Sequence, residues 1–166
     1  MHVQQHKHLP ALIAAARAVR ARAHAPYSNF AVGAAVLDEQ GRIHAGCNVE
    51  NAAYPQGWCA ETSAIAAMVS AGGRRVLAAV VCGVASHAGT PVTPCGGCRQ
   101  RLREFAADDC VIFAVDEQNL LASYTLGDLL PFSFGPAHLG THLATRLATD
   151  LAARASAPSN PGATHE

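Results

Sequence analysis

The chain has 166 residues, half of them apolar on a broad count, which suits one domain with a sizeable core. Lys plus Arg and Asp plus Glu both total 12, so there is no basic excess to follow a phosphate backbone or an anionic lipid surface, and the three Tyr, one Trp and five Phe offer little stacking surface. Nucleic-acid and membrane partners are therefore not expected, whereas the low charged fraction of 14% leaves apolar faces that a homo-oligomer would bury.

No acidic residue precedes Asp38, and the Ala- and Arg-rich stretch around Arg17, Arg20 and Arg22 has the composition of a transit peptide. It runs straight into Tyr27 to Val36, however, which reads as part of the folded domain, and the apolar run Leu9 to Ala16 is too short to span a bilayer. Leu12, Ile13, Ala16, Val19 and Ala23 fall at helical spacing and predict a first helix over about Pro10 to Ala23. Ala31 to Leu37, the turn residues Glu39-Gln40-Gly41 and Arg42 to Gly46 predict a β-hairpin. A helix from Cys59 to Ala71, stopped by Gly72-Gly73, follows.

Leu77 to Ala85 and Cys110 to Val115 read as strands buried on both faces, separated by a short helix over about Cys95 to Ala106. Helices alternating with buried strands give an α/β fold, a three-layer α/β/α sandwich with a mixed sheet. Leu139, Leu143, Leu147 and Leu151 form one stripe on a C-terminal helix. The domain is expected to span 1–154, with 155–166 a disordered tail.

Two segments carry the chemistry: Cys59-Ala60-Glu61, and Pro94-Cys95-Gly96-Gly97-Cys98. A Cys-x-x-Cys at a helix start sets two sulfurs one turn apart on one face, and the positive helix end favours thiolates. Cys59, at another helix start, completes a three-thiolate zinc shell whose open position leaves room for water. Glu61 reaches the same space without ligating, where a proton acceptor belongs. The alternative is a structural zinc site closed by Cys110, His87 or His44. Against it, Cys59 has no close partner ligand and Glu61 would have no task. Cys47, Cys82 and Cys110 are expected to be small buried hydrophobes in a reducing, cytoplasmic compartment.

These motifs resemble the signature of the small, homotetrameric cytidine deaminases. Similar blocks run from Pro26 to Ala35, from Gly46 to Tyr54, and from Leu129-Leu130-Pro131 through Phe134-Gly135-Pro136. The resemblance implies zinc-dependent deamination of cytidine and 2′-deoxycytidine in pyrimidine salvage. It also implies a nucleoside pocket lined by Phe30 and Ala60, ribose contacts from Asn48 and Glu50, and Phe134 stacking on a pyrimidine in a neighbouring subunit. The family often has an arginine after Cys-Ala-Glu that offsets the charge of three thiolates; here Thr62 stands in that place. Helix N-termini, backbone donors and Arg99 are expected to supply the compensation.

Overall fold

The structure, a computed structural model, describes residues 7–84 and 89–139. The expected C-terminal helix beyond Leu139 and the tail lie outside the described residues. Helix α1 (Leu9–Arg20) carries a Pro in its first turn and buries Leu12 and Ala16, one turn apart on one face. Strands β1 (Gly33–Asp38) and β2 (Ile43–Cys47) form the expected antiparallel hairpin. Helix α2 (Ala60–Ser70) ends where Gly72 turns at φ 89°, a conformation that favours glycine. β3 (Val76–Cys82), α3 (Gly96–Phe105) and β4 (Val111–Val115) make a crossover whose two strands pair in parallel. Leu77 departs from the expected continuous burial: it is exposed near the start of β3.

Two further elements lack an expectation. β5 (Leu120–Thr125) pairs antiparallel with β4, and α4 (Leu126–Leu129) follows it directly. Asp116 builds the β4–β5 turn by accepting from the Gln118 and Asn119 amides. Thr125 and Asp128 form a reciprocal capping box on α4.

The mixed sheet has the order β2-β1-β3-β4-β5. Alternate side chains divide its core into two. Ala35, Leu37, Val80 and Phe113 pack with Leu12 and Ala16 of α1 on one face. Ala34, Val36, Val81 and Ile112 pack with Ala64 and Met68 of α2 and Leu102 of α3 on the other. The three-layer α/β/α expectation holds. Glycine sets both helix-to-sheet distances: a Cβ on Gly33 would lie 2.1 Å from the Ala16 carbonyl of α1, and one on Gly46 would lie 2.4 Å from the Ala64 amide of α2. These elements belong to a compact unit ending at Ser133. In the following unit, Pro136–Leu139 forms a 3-10 turn and the Phe134 ring stacks on His138 at 5.0 Å.

The hairpin is closed by a buried charge. Asp38 accepts from the Gln40 amide (2.9 Å), the Arg42 amide (2.8 Å) and Arg42 Nε (2.7 Å), and its Oδ2 lies 2.8 Å from His44 Nε2. Desolvation is the largest influence on this carboxyl and acts upward, but the hydrogen bonds from His44, Arg42 and Gln40 together outweigh it and bring the pKa down to about 2. A carboxyl more acidic folded than unfolded contributes stability that is complete above the unfolded value and lost as pH falls through the folded one. Asp38→Asn is expected to cost about 3 kcal/mol at neutral pH. In chemical denaturation it should also flatten the loss of stability between about pH 4 and about pH 2; an unchanged acid slope would place that sensitivity on other groups.

Candidate metal centre and active site

Cys59 is the N-cap of α2, Cys95 the N-cap of α3, and Cys98 lies in the first turn of α3. The three sulfurs lie within 4.8 Å of one another, with Cys59 Sγ and Cys95 Sγ 3.9 Å apart. Sulfurs held about 2.3 Å from a tetrahedral zinc are separated by about 3.8 Å, so the trio fits that ion in donor type and spacing. Among the described residues no other His, Cys, Asp or Glu joins the cluster. Of the closing ligands that a structural site would need, Cys110 lies in the core, where burial pushes its thiol up to about 12, and His44 is engaged by Asp38. His87 lies outside the described residues.

The cluster is electrostatically crowded. Burial pushes the Cys59 and Cys98 thiols up, and the neighbouring Glu61 and cysteine charges add to this. Burial acts upward at Cys95 too, but hydrogen bonds from the Cys98 amide and from the neighbouring thiols outweigh it and lower its pKa. Glu61, in the first turn of α2, is only 5% exposed, and desolvation raises its carboxyl above the usual range. Three thiolates and a carboxylate cannot share this volume without a cation; a divalent metal resolves the conflict.

Cys59, Ala60, Glu61 and Cys95 form one wall of a cavity of about 310 Å³, at the small end of the range for ligand sites. Phe30, Asn48, Glu50 and Ser28 line it as well. Larger cavities beside Lys7 and beside Arg17 hold no comparable set of reactive groups. Asn29 adopts a positive φ of 56° just before Phe30. The segment carrying Asn48 and Glu50 is fixed by backbone bonds of Val49 to Trp58 and of Glu50 to His24.

Both polar side chains hold the chain opposite them. Asn48 accepts from the Val32 amide (2.8 Å) and donates to the Phe30 carbonyl (2.9 Å). Glu50 accepts from the Tyr27 and Ser28 amides and from the Ser28 hydroxyl, which lowers its pKa. The sequence alone does not single out Ser28, Val92 and Thr93 as lining residues. Ser28 stood inside a recognised block, whereas nothing in the local pattern marked Val92 or Thr93.

The two residues expected around the metal ligands stand differently. Thr62 Oγ1 is 3.6 Å from Cys98 Sγ. Arg99 directs its guanidinium to the Pro94 carbonyl (2.7 Å), the Leu129 carbonyl (2.8 Å) and the Thr93 hydroxyl (3.0 Å), clamping the loop that delivers Cys95. Phe134 stands in the C-terminal unit, exposed beside His138.

A family model for the cytidine and deoxycytidylate deaminase zinc-binding region matches residues 6–114. A cytidine deaminase of Sporosarcina psychrophila is 41% identical over 77% of this chain and 92% of its own. One from Mycobacterium tuberculosis is 45% identical over 69% of this chain and 80% of its own. The crystal structure of cytidine deaminase from Burkholderia pseudomallei superposes with a TM-score of 0.69 at 42% identity, covering 75% of this chain and 98% of that one. This chain, with its buried carboxylate beside three convergent sulfurs, is alike in sequence and fold to these proteins and belongs to the cytidine deaminase family of hydrolytic enzymes.

Proposed function

We propose that the chain hydrolyses cytidine and 2′-deoxycytidine to uridine and 2′-deoxyuridine, releasing ammonia, with zinc held by Cys59, Cys95 and Cys98. The observation that carries this reading is Glu61: a buried carboxyl beside the sulfur trio, on the wall of a cavity that Asn48, Glu50 and Phe30 also line. Bound zinc supplies Lewis acidity, making water a competent nucleophile near neutral pH.

Glu61 moves the protons. It accepts one from the attacking water and delivers it to N3 of the pyrimidine, which makes C4 electrophilic. As the water oxygen bonds to C4, Glu61 takes the remaining hydroxyl proton and passes it to the 4-amino nitrogen. The C4–N bond breaks, ammonia departs and C4 keeps the oxygen as a carbonyl. Burial suits Glu61 to this exchange: desolvation raises its carboxyl above the usual carboxylate range and so favours its holding a proton between the two transfers.

Asn48 and Glu50 receive the sugar. They lie two apart on an extended segment and so face one side, and a carboxylate with an amide matches a pair of hydroxyls. Glu50, kept ionised by its bonds to Ser28 and Tyr27, repels a phosphate ester, and no Lys or Arg is among the described residues lining the cavity. A free nucleoside is therefore the substrate, and Phe30 offers its ring to the bound molecule.

The working form is a homotetramer in which Phe134 reaches the base bound by a neighbouring copy. Support comes from Tyr27, Val49, Tyr54 and Trp58, which are all exposed apolar residues carried by the segments flanking the cavity. The physiological setting is pyrimidine salvage in the cytoplasm. None of the six cysteines is in a disulfide, as suits a reducing compartment, and no helix among the described residues is long and apolar enough to cross a membrane.

Glu61→Gln should retain zinc yet lose about a thousandfold in turnover, followed as the ultraviolet absorbance change of cytidine beside a parallel reaction with CMP. Near-normal turnover in that variant would remove Glu61 from the mechanism, and conversion of CMP at the rate of cytidine would overturn the nucleoside assignment. Stripping the metal with a chelator should abolish activity and zinc should restore it. Cys98→Ala should not recover under the same treatment; recovery would mean that Cys98 is no ligand.

A further inference from the structure

Zinc with three thiolates carries a net charge of minus one, and Glu61 adds another. No Lys or Arg among the described residues bonds to any of the three sulfurs. Arg99, the arginine next to Cys98 in the chain, spends Nε, Nη1 and Nη2 on Pro94, Leu129 and Thr93. The direct hydrogen bonds to the sulfurs come from neutral donors.

One side-chain hydroxyl stands at the buried sulfur. Cys98 is inaccessible to solvent and Thr62 is only 8% exposed, so water does not compete for their contact at 3.6 Å. The carbonyl one turn before Thr62, to which a helical threonine often donates, is that of Trp58, and it already accepts from the Val49 amide at 2.8 Å. A hydroxyl both donates and accepts, but a thiolate only accepts. Once Cys98 is ionised as a ligand, the hydrogen between the two atoms belongs to Thr62.

We propose that Thr62 is a positioning residue of the metal centre: its hydroxyl donates to Cys98 Sγ, draws charge from the most deeply buried ligand and fixes that sulfur's direction. The proposal rests on zinc at the Cys59, Cys95 and Cys98 trio. Threonine suits the role because branching at Cβ limits its rotamers, so the hydroxyl meets the sulfur with little entropy to lose. Partners of this kind, bonded to ligands rather than to the metal, typically alter affinity by about 10- to 100-fold.

The test compares wild type with Thr62→Val, which keeps the shape and removes the donor, and Thr62→Ser, which keeps the donor. Zinc affinity is measured by competition with a chromogenic chelator, and the sulfur-to-metal charge-transfer band is recorded after cobalt(II) substitution. Thr62→Val should bind zinc at least about tenfold more weakly and move the band to longer wavelength, while Thr62→Ser stays close to wild type in both. If Thr62→Val does not fold, Thr62→Ala is the donor-free variant. Wild-type affinity and an unshifted band in a folded donor-free variant would overturn the proposal, as would a serine variant as weak as valine. Failure of the wild-type protein itself to bind zinc would overturn the metal centre along with it, so the two failures are told apart by the wild-type measurement.

Discussion

Four acidic groups, Cys59, Cys95, Cys98 and Glu61, meet at the start of two helices, with Cys98 and Glu61 buried, Cys59 half-buried and Cys95 exposed. Helix termini favour negative charge, but each is worth at most about 2 kcal/mol in a partly buried setting. An uncompensated buried charge costs several kcal/mol. The helix ends therefore lower the difficulty without removing it, and the raised pKa values of Cys59, Cys98 and Glu61 are its mark. A divalent cation supplies what the backbone cannot. The rest of the fold is arranged to make the groups meet: Gly46 lets α2 approach β2 closely, and Arg99 ties the loop before Cys95 to the carbonyl end of α4.

The substrate side of the cavity is built on the opposite principle, with each polar group already satisfied. Asn48 spends its amide on Phe30 and Val32, and Glu50 gathers Tyr27 and Ser28. These bonds stiffen the loop bearing Phe30 before any ligand arrives, which lowers the ordering cost of binding. A carboxylate has about four lone-pair sites, and three donors leave room for a hydroxyl. Read alone, Asn48 and Glu50 resemble turn and surface residues. Their bonds to the facing loop are long-range in sequence, so neither residue could have revealed them.

Legibility followed locality. Cys-x-x-Cys at a helix start, the Glu39-Gln40-Gly41 turn and the Gly72-Gly73 stop are all written within a few residues, and each element they announce is present. β5 escaped because Leu120 to Thr125 lies at the sheet edge, half-exposed on both faces, so its side chains do not alternate cleanly. α4 is only four residues long, although its Thr125-x-x-Asp128 box was a readable cue. Arg99 was expected to face the thiolates; its partners, a hydroxyl six residues back and a carbonyl thirty residues on, depend on how α3 and α4 pack. Asp38 falls between the apolar run and the turn residues, and its burial with His44 and Arg42 emerges only when the hairpin closes.

The sheet also separates stability from chemistry. Gly33 pairs with Cys47 on one side and Cys82 on the other, and Cys82 pairs with Val115, so the carboxyl ends of the parallel strands β3 and β4 lie at the Gly33 end of β1. The chain leaves β2 there for Asn48 and leaves β3 there on its way to Cys95. Asp38 sits at the far end of β1, five residues and about 17 Å away. Parallel strands commonly gather ligands at their carboxyl ends, where the following helices begin. In this chain the crossover through α3 turns that tendency into a place for Cys95 and Cys98. The charged clasp of the β1–β2 hairpin lies at the opposite edge, where a change in folding energy need not move a metal ligand.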